Sequence, residues 1–244
     1  MRAAEPNVFS HGMEDTRATL AAWRAGRWRV LRGWFALSLA IALTPLCAVL
    51  VTSGFLTPDL TAWKIPGYNE PAGLGEMLPI LYRNGLVLAL HATACVAGFI
   101  AGASMPLAAE QRTGFPRWVH VKAGELAILF VCAVTLFSLL TQAFFLGFQG
   151  STLAFQLHIS RLDLILSVLP HALIELSALF LPLAAWLIAS RRGQWNQLLA
   201  ATAVTVVIAV PMLIVAALIE VYLWPHILRS LSDYHYSLHT FILQ

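Results

Sequence analysis

The chain has 244 residues, of which 59% are hydrophobic and 11% charged, with a mean hydropathy of +0.76. A soluble domain carries about 25% charged residues, so the composition excludes a water-borne globule and makes lipid the solvent for much of the chain. The basic balance, with a pI of about 9.0, is not a nucleic-acid signal, because the Lys and Arg residues flank apolar runs and form no stripe or nucleic-acid module.

Residues 1–32 form a basic, mostly polar N-terminal segment. It is longer than the lead of a secretory signal peptide and has no small-residue cleavage pattern, so Met1 is expected to be retained and the first helix to be an uncleaved anchor. Trp23, Trp28 and Trp34 interleave with arginines, a composition suited to the headgroup region. Leu20, Trp23, Trp28 and Leu31 fit one helical face. Two readings stand: an amphipathic helix on the cytoplasmic surface, or a plain basic flank.

A hydrocarbon core about 30 Å thick needs roughly 20 apolar residues in a helix. Residues 33–56, 84–108, 126–148, 164–189 and 198–223 qualify. No run alternates with period two, which excludes a membrane barrel. The fold class is all-α: a polytopic membrane helix bundle of five transmembrane helices over 33–223, followed by an extracytoplasmic tail at 224–244. Eleven of the fifteen Lys and Arg residues fall in the N-terminal segment and the second and fourth connections. The positive-inside rule then puts the N-terminus in the cytoplasm and the C-terminus outside.

The first outer loop, 57–81, is rich in Pro and Gly, with Leu74, Met77 and Leu78 as a short interfacial turn. The outer connection 149–163 is mostly apolar and is expected at the interface. The tail carries Trp224, His226, Tyr234, His235, Tyr236 and His239, but no carboxylate or cysteine completes a metal set. Cys47, Cys95 and Cys132 lie in apolar runs without metal-type spacing. No metal and no cofactor is expected.

Ionisable groups inside membrane helices are costly and are functional hypotheses by default. His91, His171, Glu175 and Glu220 are such groups, and Asn84 and Glu125 lie near span ends. Counting inward from Asn84 and Leu164 puts His91 and His171 at similar depth, about 10 Å in. His171 and Glu175 are one turn apart on one face. Ala94, Gly98 and Gly102 form a small-residue stripe that permits close helix approach. These features lead to the expectation that the second and fourth spans pack tightly and gather Asn84, His91, His171 and Glu175 into one polar cluster. Glu125 is expected at a helix N-terminus, where the dipole favours a carboxylate, and Glu220 near the outer interface. Pro170 removes a backbone donor and is expected to break the fourth helix beside the cluster. Such a break suits an ion or ligand site, and equally a kink sealed by interhelical hydrogen bonds.

The run Pro170-His171-Ala172-Leu173-Ile174-Glu175-Leu176, with Asn84 at the start of an earlier Gly/Ala-rich span, resembles the stage II sporulation protein M family over Leu81 to Ala189. The family's Pro-His-Gly-x-x-Glu motif has Ala172 in place of its glycine here. The resemblance implies a multi-pass protein of a prokaryotic cytoplasmic membrane that acts as a scaffold for enzymes carried by partners in a cell-envelope complex. Three functions compete. The first is a non-enzymatic scaffold or assembly subunit; the chain has no phosphate-binding GxxxxGK[ST] run. The second is a transporter, channel or permease subunit with a polar site around His91, His171 and Glu175. The third is an intramembrane metal-dependent enzyme built on the same residues. The expected partners are the lipid bilayer and a second copy or another membrane protein, with no nucleic acid.

Overall fold

The structure is a computed structural model that describes residues 8–24, 26–61, 64–105, 109 and 113–232. Among these residues the chain is all-helical, and the pairing of Pro66 with Glu70 is an isolated bridge outside any strand. Among the described residues seven α-helices are assigned: α1 (Val8–Trp23), α2 (Arg27–Ser53), α3 (Leu74–Phe99), α4 (Gly114–Gln156), α5 (Arg161–Arg191), α6 (Leu198–Leu218) and α7 (Trp224–Leu231). A π-helical stretch, Ile100–Ser104, continues α3, and a second, Ile219–Leu223, joins α6 to α7. Five stretches among the described residues are long and apolar enough to cross a membrane: Trp28–Ser53, Leu74–Ala103, Glu125–Gln156, Arg161–Arg191 and Trp195–Leu231. The tail residues Tyr234, His235, Tyr236 and His239 lie outside the described residues.

The helices outrun the apolar windows that reveal them. α3 starts at Leu74, so Leu74, Met77 and Leu78 belong to its first turns rather than to a separate interfacial turn. Asn84 lies nearly three turns inside the helix rather than at its start. A depth for His91 counted from Asn84 therefore has no helix end to rest on. Likewise α4 runs on to Gln156, so only residues 157–160 link it to α5. His158 takes a positive φ of 54° in that link. α4 begins at Gly114, which places Glu125 three turns along the helix, paired with Lys122 at 2.8 Å, and removes its helix-dipole role. The expected break at Pro170 is absent, because α5 is continuous from Arg161 to Arg191. One proline deletes a single backbone bond, and neighbouring turns of a membrane helix absorb that loss.

The helical irregularity lies elsewhere. In sequence, a proline follows two residues after each π-helical stretch: Pro106 and Pro225. For Pro225 the cause is direct. A proline ring clashes with the carbonyl of residue i−4, here Val221, and the widened turn moves that carbonyl aside. The Trp224 N–H bonds back to the Ile219 carbonyl, a π-type span.

The chain divides into two compact units. The first comprises 1–38, 87–135 and 178–209. Its core is Trp34, Leu181, Ala185 and Ala201, with Trp23 and Val30 packed on it. The Trp23 and Trp34 rings meet edge-on at 5.2 Å. Turns at Arg24 and at Gly26 separate α1 from α2, so Leu20, Trp23, Trp28 and Leu31 do not share one helical face. Trp28 is 71% exposed, whereas Trp34 is buried.

The second unit comprises 39–86, 136–177 and 210–244. Ile65, Ala154, Leu157, Leu164 and Leu228 form its core. Polar ties cross it: Thr52 Oγ1 donates to the Ala143 carbonyl at 2.8 Å, Ser151 Oγ to the Leu56 carbonyl at 2.8 Å, and the Asp59 N–H to Thr152 Oγ1 at 2.9 Å. Gly67 has φ 78°, and an added Cβ would lie 2.9 Å from the Val221 carbonyl, the one displaced ahead of Pro225. The Arg229 guanidinium donates to the Gly67 carbonyl and, at 3.1 Å, to the Tyr68 carbonyl, and lies 5.7 Å from the Tyr68 ring centre.

Candidate functional site

In the second unit, α3, α5 and the π-helical stretch bring four charged or amide side chains together. Glu175 comes from α5, Arg83 and Asn84 from α3, and Glu220 from the π-helical stretch. Asn84 is a hydrogen-bond partner of Glu175, whose carboxylate also feels the Arg83 guanidinium. Glu220 lies within electrostatic reach of both Glu175 and Arg83. Glu175, Glu220 and Asn84 are half-buried, while Arg83 is exposed. Two carboxylates thus share one guanidinium. With both ionised, the group carries one negative charge in excess, and in a weakly solvated setting a proton or a cation restores balance.

His171 lies one turn before Glu175, on the same face of α5. It is buried, and its ring meets the Trp224 ring at 5.6 Å and 61°. Its Nδ1 has no hydrogen-bond partner among the described residues. Trp224 is itself fixed, since its indole N–H donates to Ser167 Oγ at 3.0 Å.

Asn84 and Glu175 come together as the sequence suggests, whereas His91 finds its partners in the first unit. Its Nδ1 lies 2.8 Å from the Leu179 carbonyl. A carbonyl can only accept, so Nδ1 carries the proton and donates. The ring also meets Phe180 at 5.4 Å. One turn further along α3, Cys95 Sγ donates to the Pro182 carbonyl at 3.2 Å. At Gly98, an added Cβ would come within 2.5 Å of Trp186 Nε1 and 2.9 Å of Leu198 Cδ1. At Gly102 it would meet the Trp195 ring. These small residues therefore make room for two indoles, not for a bare helix backbone. Ala94 is only half-buried.

Sequence reasoning left Glu220 and Arg83 out of the cluster, naming Glu220 only as a residue near the outer interface. Glu220 reads as an interfacial residue when the fifth span stops at 223, but its helical stretch continues to Leu231. The available signal was an acid five residues before Pro225. Among the described residues no three His, Cys, Asp or Glu side chains form a group able to hold a metal ion.

These features define a helical, multi-pass membrane protein with a half-buried acid pair. Residues 118–225 match the model of the family described as Stage II sporulation protein M, and over that segment the chain is SpoIIM-like. The match contains the Pro170–Glu175 motif and Glu220, while Asn84 lies before it. No curated protein and no solved structure matches the chain.

Proposed function

We propose that the chain is a non-enzymatic assembly subunit of a cell-envelope complex in a prokaryotic cytoplasmic membrane. The observation that carries this reading is how α3 spends its polar and small residues. His91, Cys95 and Gly98 successively engage Leu179, Pro182 and Trp186 of α5. Each contact ties one helix to the next, and interhelical hydrogen bonds of this kind contribute about 0.6–2 kcal/mol. The family match supports the same reading. The N-terminus faces the cytoplasm and the C-terminus the outside, an orientation supported by the distribution of Lys and Arg.

A specific observation favours a second reading, a transporter or permease subunit. Glu175 and Glu220 share a single guanidinium, Arg83, and a purely structural tie has no use for an unbalanced acid. Replacing Glu175 with Gln and, separately, with Ala discriminates between the two. The readouts are thermal stability in detergent and pH-dependent flux in proteoliposomes. The assembly reading expects Glu175→Gln to be stable, Glu175→Ala to be destabilised, and no flux from wild type. A wild-type flux abolished in a well-folded Glu175→Gln variant would replace it with the transport reading.

A further inference from the structure

The first unit contains a concave site outside the acid cluster. It is a pocket of about 80 Å³ between the start of α2 and the end of α5. Its polar lining consists of Arg29, Arg192, Gln194 and Gln197, and no acidic side chain lines it. Among the described residues, neither arginine takes part in an ion pair.

Local backbone geometry builds this pocket. Gly193, at φ 65°, ends α5 in the left-handed region that glycine tolerates. The Gln194 N–H then bonds back to the Ala189 carbonyl at 2.9 Å, and the Gln197 N–H to the Gln194 carbonyl at 3.1 Å. The chain therefore folds back at Arg192–Gln197 and presents two amides beside two guanidiniums, at the N-terminal end of α6, where the helix dipole favours negative charge. Trp23 and Trp34 form an aromatic wall, and Ala185 and Ala201 of the unit's core form an apolar floor. Gly33 opens the side toward α2, where an added Cβ would meet only Ile188, at 3.8 Å.

A polar mouth over an apolar floor is the chemistry of an amphiphile. The level is also that of a membrane boundary, since one membrane-crossing stretch begins at Trp28 and another ends at Arg191. We propose that this pocket binds the phosphate of an anionic phospholipid, with the two guanidiniums on the headgroup and the first acyl segment against the floor. Arginines at the C-terminal end of a helix are also explained by the helix dipole alone. That explanation accounts for Arg192 but not for Arg29, which stands in the first turn of α2, nor for the indole wall, the amide pair or the gap at Gly33.

The test is a thermal-shift titration of the full chain in neutral detergent. It compares phosphatidylglycerol, phosphatidylcholine and inorganic phosphate. The proposal expects saturable stabilisation by phosphatidylglycerol and none by the other two. Arg29→Gln with Arg192→Gln should weaken the half-saturation roughly thirtyfold, about fivefold for each guanidinium. Gly33→Leu keeps every charge and fills the opening, and should weaken it comparably while leaving the lipid-free melting temperature near wild type. Equal stabilisation by phosphatidylcholine would overturn the proposal, and so would an unchanged phosphatidylglycerol titration in Gly33→Leu. An equal effect of inorganic phosphate would replace the lipid by a free anion. If the double arginine variant does not fold, the Gly33→Leu titration alone decides.

Discussion

Among single residues, Gly98 is the member of the small-residue stripe that faces the most deeply buried indole, although Gly102 is approached more closely. Trp186, which its absent side chain accommodates, is 1% exposed and has no slack to move away. Gly98→Val is expected to lower stability by about 1–3 kcal/mol, read as a lower melting temperature in detergent, whereas an equal bulk at Gly33 should be tolerated. Gly98 was legible in the sequence because small residues spaced one turn apart in an apolar run have few other uses. The partner of His91 was not legible, because every residue owns a carbonyl and nothing in a sequence singles out that of Leu179. The same limit explains the grouping of the polar residues. Asn84 and Glu175 are side chains that can recognise one another, while His91 is satisfied by backbone.

At the scale of elements, hydropathy located all five crossing helices and mistook their ends. A hydropathy window senses lipid, whereas a helix persists wherever its backbone bonds close, so α3 and α4 extend into less apolar sequence. Pro170 shows the converse error. The residue type was right for a break, but a membrane helix is held by its neighbours, and α5 is the most enclosed of the five, with 61% of its most apolar window buried against 11% for α4. The loop between α2 and α3 contributes a pH dependence of its own. Asp59 accepts the Thr61 N–H and hydroxyl, both at 2.9 Å, and these bonds hold its carboxyl below the ordinary 3.8. A depressed acid stabilises the folded loop above its unfolded value and loses that effect as pH falls through the folded one. The protection factor of the Thr61 amide, its exchange measured against the intrinsic rate at each pH, is therefore expected to be unchanged from neutral pH down to mildly acidic conditions. It should fall only below pH 3.8.

At the scale of the molecule, the order of contacts between α3 and α5 fixes a relation that sequence reading only assumed. His91, Cys95 and Gly98 meet Leu179, Pro182 and Trp186 in the same order, so the two helices run parallel there. Two crossings separated by one other must do so in a chain that alternates sides. A reporter active only in the cytoplasm, inserted at the Gly193–Gln194 turn, is expected to be active. The same reporter in the 157–160 link should be silent, and the reverse pattern would invert the proposed topology. α4, with Leu129, Phe130 and Phe137 each about two-thirds exposed or more, is the helix that meets lipid most fully.

The fastening of Gly67 and Tyr68 by Arg229 bears on how long the loop survives attack by proteases. A long loop rich in proline and glycine is ordinarily the first place a protease cuts, because cleavage requires a stretch of backbone to unfold into the enzyme's cleft. Here the Gly67 N–H is bonded to the Glu70 carbonyl at 2.7 Å, the Ile65 N–H to Asn69 Oδ1 at 2.6 Å, and both carbonyls at the crest are held by one guanidinium. The bond after Tyr68 follows an aromatic side chain that is half-buried against the unit's core, and it is thus denied to a chymotrypsin-like enzyme. In Arg229→Ala, limited digestion should open a new cut at Tyr68 while the membrane helices stay intact, making this one arginine the lock on the loop's lifetime.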